Sequence, residues 1–193
     1  MSTCSFLILE NLKSDSSESV RRSVANNLND IAKDYPQVVL DTVEKWRGIS
    51  AETDWVIRHG SRTLLKRANT DSLQSFGFQS VTPVEIYDLI LDISVVTIGG
   101  DLTFGFNLKN TSNTEGVKIR LEFGVDYVKA NGKTSRKIFQ ITERIFAENE
   151  VWACRKKLSF KDLTTRKHYL GTHSIAIIVN GIEKIALTFD LVQ

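Results

Sequence analysis

From Ser19 to Ala68 the apolar residues return every three or four positions: Val20, Val24, Leu28, Ile31 and Ala32, then Val38, Val39, Val43 and Trp46, then Ile57, Leu64, Leu65 and Ala68. That period gathers each set on one helix face and predicts three helices, over 17–34, 36–47 and 52–68. Pro36 separates the first two, because its fixed φ suits a first helical turn and it disfavours α geometry at Tyr35. Ser50-Ala-Glu-Thr53 is suited to cap the third. A frayed helix over 3–13 and a short one over 70–76 are expected to flank the set.

After Gly77 the helical period is lost. Segments rich in Val, Ile, Phe and Thr alternate with turn residues, which predicts strands over 84–92, 93–98, 101–109, 116–129, 134–146, 150–160, 172–180 and 183–192. Asn180-Gly181, between two such runs, signals a type I′ hairpin, and Asn131-Gly132 is a weaker signal of the same kind. Short strands at regular spacing argue for an antiparallel sandwich. The chain therefore reads as α + β with two domains, helices over 1–79 and an all-β unit over 80–193.

The helical part follows a repeat plan. Asp15, Val20-Arg21, Val24-Ala25, Leu28 and Ile31-Ala32, then Pro36 and a second helix, have the layout of a HEAT-like unit, in which an acidic turn residue and an early arginine tie neighbouring repeats together. Trp55, Arg58, Arg62 and Leu64-Leu65 form a partial second copy about 36 residues on. An α-α solenoid fragment follows from this.

Opposite the apolar stripe of the first helix, Arg22, Asn26 and Asp30 make one polar line. Trp55, Arg58, His59, Arg62 and Lys66 make a second on the third helix, and side-by-side inner helices would bring both lines onto one concave surface. Guanidinium, ammonium and amide groups suit phosphate oxygens, whereas Asp30 would repel them unless it meets a positive charge. Lines of this kind are also common on plain solvated faces; Arg21 serves a structural tie as readily as a ligand contact, and Trp55 helix packing as readily as an interface. The low helix propensity of Asn26, Asn27 and Asn29 favours the functional reading.

Two stretches, Arg21-Arg22-Ser-Val-Ala-Asn-Asn-Leu-Asn-Asp30-Ile-Ala-Lys-Asp34 and Trp55-Val-Ile-Arg58-His59-Gly-x-Arg62-Thr-Leu-Leu-Lys66, resemble the AlkC-type branch of the HEAT-like DNA alkylation repair glycosylases. Some members of that branch end in an immunoglobulin-like domain, which the β half would supply. The resemblance implies excision of cationic alkylated purines such as 3-methyladenine from double-stranded DNA, with no cofactor and no metal. It implies Asp30 as the catalytic carboxylate, with Arg21, Arg22, Asn26, Trp55, Arg58, His59, Arg62 and Lys66 on the DNA. An alkylated purine that already carries a positive charge leaves without a general acid, so the carboxylate would stabilise the sugar cation and orient water. Members of the branch carry further repeats upstream, and no counterpart of their Arg-Arg-Leu-Ala-Ser-Glu-Gly-like motif stands before Asp15. The chain is therefore expected to be a C-terminal portion, not fully active alone.

Charge and composition refine this picture. A balance of 25 Lys+Arg against 23 Asp+Glu excludes a binder acting through bulk charge, yet Arg155, Lys156, Lys157, Lys161, Arg166 and Lys167 face only Asp162 between residues 155 and 168. Arg155, Lys156, Lys157, Arg166 and Lys167 thus join the DNA-binding candidates, the alternative being an edge strand charged against aggregation. Cys4 and Cys154 cannot build a multi-bridge secreted scaffold, no apolar run reaches the ~18 residues of a membrane span, and a cytoplasmic location is expected. His168 and His173 read as surface residues. A second function class stays open: a non-catalytic protein-interaction module, self-associating through the edge of the N-terminal helix.

Overall fold

The computed structural model describes residues 3–66, 76, 82–162, 164 and 167–193. The expected helix over 70–76 (apart from Phe76), the expected boundary after residue 79, Arg166 and the side chains of Cys4 and Lys66 lie outside the described residues. Helices come first and strands second, an α+β order, and contacts divide the chain into two compact units, Met1–Gly77 and Phe78–Gln193. Among the described residues no helix is long and apolar enough to cross a membrane.

The helical unit holds α1 (Thr3–Leu12), α2 (Glu18–Asp34), α3 (Pro36–Trp46), α4 (Ala51–Gly60) and α5 (Arg62–Lys66). Tyr35 closes α2 and opens α3, with Pro36 in the first turn of α3. The Ser50 hydroxyl accepts the Thr53 N–H at 3.1 Å and caps α4. Val24, Ala25, Leu28 and Ala32 of α2 are buried with Val39, Val43 and Trp46 of α3 and with Val56, Ile57, Leu64 and Leu65. Val38, counted on the apolar face, is instead exposed. Trp46 is anchored by its indole N–H, which donates to Glu10 at 2.6 Å.

The third helix expected over 52–68 is broken at Ser61 into α4 and α5. Beside the break, helices α2 and α4 come as near as their backbones permit: a Cβ on Gly60 would stand 2.8 Å from the Cβ of Leu28. Glycine is needed there for close approach.

The β unit holds β1 (Val84–Leu91), β2 (Val95–Thr97), β3 (Asp101–Asn110), β4 (Val117–Val128), β5 (Thr134–Phe146), β6 (Val151–Ser159), β7 (Gly171–Val179) and β8 (Ile182–Val192). They form a three-stranded sheet, β1-β3-β6, and a five-stranded sheet, β2-β8-β7-β4-β5. Alternate residues of both sheets meet in one core, including Leu102, Phe104, Ile119, Leu121, Ile175, Ile177 and Phe189. The pairing is antiparallel with one exception that corrects the expectation: β2 runs parallel to β8.

Asn180 and Gly181, at φ 48° and 79°, make the tight turn between β7 and β8 with both residues left-handed, as a type I′ turn requires. Between β4 and β5 only Gly132 is left-handed, at φ 72°, while the Lys129 N–H donates to the Lys133 carbonyl, so this loop is longer than its dipeptide suggested.

Candidate functional site

The polar line of α2 is tied to the α4–α5 break by two asparagines. Asn29, on the buried side of α2, accepts the Thr63 N–H at 3.1 Å and so satisfies a donor in the first turn of α5. Asn26, one turn earlier and exposed, accepts from Nη2 of Arg62 at 3.2 Å. The other arm of Arg62, Nη1, donates to the His59 carbonyl at 2.8 Å. One guanidinium thus closes the end of α4 and reaches α2 together.

Asp30 lies one turn beyond Asn26 and is exposed, with Nζ of Lys33 2.7 Å from its Oδ1. The hydrogen bond and charge of Lys33, helped by the charge of Arg62, hold the Asp30 carboxyl below its ordinary range, so it is an anion at neutral pH. His59 is half-buried and stacks on Trp55 with centroids 5.0 Å apart and planes within 6°. Burial first, then the charges of Arg62 and Arg22, lower the His59 pKa and keep its ring neutral. Trp55 is 36% exposed, so part of its side chain reaches the surface.

An ionised carboxylate, a fixed guanidinium, an amide and an aromatic pair therefore stand together. The carboxylate can face a developing cation or a water, and the guanidinium an oxyanion. Arg22 is exposed and pairs with Glu18 at 2.6 Å, and Arg58 is exposed on α4. Arg21 stands apart from them: half-buried, it donates through Nη1 to the carbonyls of Asp15 at 2.7 Å and Ser16 at 3.0 Å. It clasps the turn before its own helix, where the repeat layout had anticipated a tie to a neighbouring repeat.

In the β unit, Arg155, Lys156 and Lys157 are exposed on β6, which is an edge strand, and Lys167 is exposed in the segment before β7. Lys157 is neutralised by Asp101 of β3 at 2.7 Å. Trp152 and Leu158 pack on the core as their positions suggest. Cys154 is buried, which raises its thiol pKa. Arg155 lines a cavity of about 550 Å³ over Gly105, with Asp88, Asp92 and Asn107 around it.

The surface reading of the two histidines is corrected. His168 and His173 are 7% and 1% exposed and sit among Tyr127, Phe160 and Phe189. Among the described residues no group of three or more His, Cys, Asp or Glu is arranged to hold a metal ion. Sequence reasoning missed Asn29 as the link to α5 and missed the buried Arg120–Glu122–Glu143 cluster of β4 and β5. Low helix propensity was the available signal for Asn29; nothing local marked the cluster.

Residues 85–193 match a family model described as "Uncharacterised protein YhaZ, C-terminal Ig-like domain". A curated relative, "Uncharacterized protein YhaZ" of Bacillus subtilis (strain 168), is 41% identical over 184 residues, which are 95% of this chain and 51% of the relative. Among solved structures, the Pseudomonas fluorescens alkylpurine DNA glycosylase AlkC bound to DNA containing an abasic site analog aligns with a TM-score of 0.91 and 35% identity, over 97% of this chain and 52% of that one. The chain spans about half the length of each.

Proposed function

The chain belongs to the AlkC/YhaZ-type alkylation repair family, carrying the YhaZ C-terminal Ig-like domain, and from that premise we propose that it is the DNA-binding C-terminal portion of an alkylpurine DNA glycosylase. The observation that carries this reading is the joining of the two polar lines through Arg62 and Asn26, beside an ionised Asp30. The likeness to a DNA-bound glycosylase over nearly the whole chain supports it.

In this reading the helices are part of a HEAT-like, ARM-type solenoid and the two sheets an immunoglobulin-like sandwich, the natural divide lying near residue 79. The substrate is double-stranded DNA with a cationic alkylated purine. Because the base already carries the charge that makes it a leaving group, the hydrolysis needs no general acid. Asp30 stabilises the positive charge that grows on the deoxyribose and orients the attacking water. Arg22, Arg58, Arg62, Lys66 and Asn26 hold flanking phosphates, with Trp55 and His59 as an aromatic surface against the strand. Arg21 shares a phosphate only from its place in the turn. On the β unit Arg155, Lys156, Lys157, Arg166 and Lys167 add backbone contacts.

In this reading the chain by itself binds DNA and has little excision activity. It acts in the cytoplasm. The second reading, a non-catalytic module that associates with itself, is favoured by one observation: Leu7 and Ile8 of α1 are 60% and 58% exposed.

Fluorescence anisotropy against a duplex at low and high salt tests the DNA reading. Binding that weakens with salt is expected; no binding at low salt, or binding indifferent to salt, overturns it. Release of 3-methyladenine that Asp30→Asn abolishes would show that the chain alone is a competent glycosylase.

A further inference from the structure

At one end of the β unit the hairpin of β4 and β5 and the segment before β7 enclose a second cavity, of about 150 Å³. Three of its lining residues are lysines, Lys129, Lys137 and Lys167, joined by the hydroxyl-bearing Ser135 and Tyr169 and by Tyr127. Lining carboxylates are absent, and among the described residues none of the three ammonium groups is paired with one. Lys137 holds its Nζ 6.0 Å from the centre of the Tyr127 ring.

This concentration of charge is built in advance. His173 accepts the Val128 N–H on Nδ1 at 3.4 Å and, carrying its proton on Nε2, donates to the Tyr169 carbonyl at 3.0 Å. Asp162 accepts the His168 N–H at 2.9 Å. The His168 ring packs 5.1 Å from Phe160 and 5.7 Å from Tyr127. The wall carrying Lys167 and Tyr169 is therefore fastened to the core before any ligand arrives, which lowers the ordering cost of binding.

We propose that the Lys129–Lys137–Lys167 cavity is a binding site for a phosphate group. The volume equals that of about five waters, room for one tetrahedral oxyanion with part of its hydration, and too small for a drug-sized ligand. Three ammonium groups match a group with several charged oxygens, and the hydroxyl of Ser135 supplies a further donor. The phosphate is either the diester of a nucleic acid or a free phosphate, and the site does not rest on the helical reading above.

Nuclear magnetic resonance of the ¹⁵N-labelled whole chain separates the sources, using inorganic phosphate in one titration and an undamaged duplex in the other. Saturable shifts of the Lys129, Ser135 and Tyr169 amides are expected with phosphate. The same shifts with duplex, competed by phosphate, identify a nucleic-acid phosphate; shifts with phosphate alone identify a free one. Replacing the three lysines by Gln weakens phosphate at least about tenfold, while Lys184→Gln, outside the cavity, leaves it unchanged. Arg62→Ala weakens duplex binding through α5 and spares the phosphate response, so failure of the helical reading looks different from failure of this one. Absence of shifts with both ligands, or equal shifts in the well-folded triple variant, overturns the proposal.

Discussion

Arg62 donates to Asn26 across 36 positions of sequence, with 3.2 Å between Nη2 and Oδ1. The contact ties two separate polar lines together and holds a guanidinium whose charge is felt at Asp30. Its effects on duplex affinity should therefore be coupled. Arg62→Ala is expected to weaken binding by about tenfold and to reduce the salt slope by about one. Asn26→Ala should cost less, and less again in the Arg62→Ala background. A double-mutant cycle by anisotropy checks this; additive losses would mean that the two residues act independently.

Asn29 is a structural counterpart to its exposed neighbour. Asn29→Ala leaves the Thr63 N–H without its acceptor in a partly buried place, at a cost of about 1–2 kcal/mol in urea unfolding. Asp30→Asn, fully exposed, should leave the unfolding midpoint where it was. Equal losses from both would show that Asp30 is also part of the scaffold.

Gly60→Ala tests the close helix approach. With Leu28 Cβ 2.8 Å from the added methyl, α2 and α4 must part, and about 1–3 kcal/mol of stability should be lost. Helix propensity alone favours alanine and predicts a gain. The sign of the change in melting temperature decides between sterics and propensity.

In the β unit, Arg120 donates to Glu122 at 2.9 Å and to Glu143 at 3.0 Å. Both Arg120 and Glu122 are buried, and Oε2 of Glu122 has no hydrogen-bond partner among the described residues. Burial raises the Glu122 pKa against the pull of Arg120. Arg120→Met strands that charge and should cost about 3–5 kcal/mol at neutral pH. Since a raised carboxyl loses stability as pH rises through its folded pKa, the defect should shrink in acid. Glu122→Gln, which keeps the shape and leaves Arg120 its bond to Glu143, should cost far less. Urea unfolding at two pH values reads both.

His173 supplies a pH dependence of the opposite sign. Burial, its largest cause, lowers the imidazole pKa below the usual 6.5, so the folded protein keeps it neutral while the unfolded chain takes up a proton. The contribution is complete above about pH 6.5 and is lost as pH falls below it. Thermal melts from pH 7.5 to 5 should show the decline, and His173→Phe should flatten it. A slope unchanged in that variant would assign the decline to other groups.

The alternation of apolar residues was enough to place every strand within a few residues, because most strands bury one face and their turns carry Gly or Asn. It failed where burial did not follow the alternation. Arg120 and Glu122 lie on the face of β4 away from the core, where the period expects solvent, and they are buried all the same. His168 and His173 were read by polarity, yet their neighbours Tyr127, Phe160 and Phe189 come from distant strands and loops that no window contains. The break at Ser61 was hidden by the continuous stripe from Ile57 to Leu64 and Leu65; only Asn29 and Arg62 reveal it, through bonds made across helices. The polar lines themselves were legible because helical spacing fixes which residues share a face. That side-by-side helices would bring them to one surface was expected, whereas the Arg62–Asn26 bond was not, since it depends on the rotamer of one arginine.

The place of β8 has a consequence for synthesis. It lies inside its sheet, between β7, which it follows, and β2, with which Val95 meets Asp190 across 95 positions of chain. Until β8 has been made, β2 has no neighbour in its sheet and β7 exposes one side. The sheet can therefore close only once β8 is available, and until then β7 keeps one unpaired edge, the kind of long-range pairing that forms late.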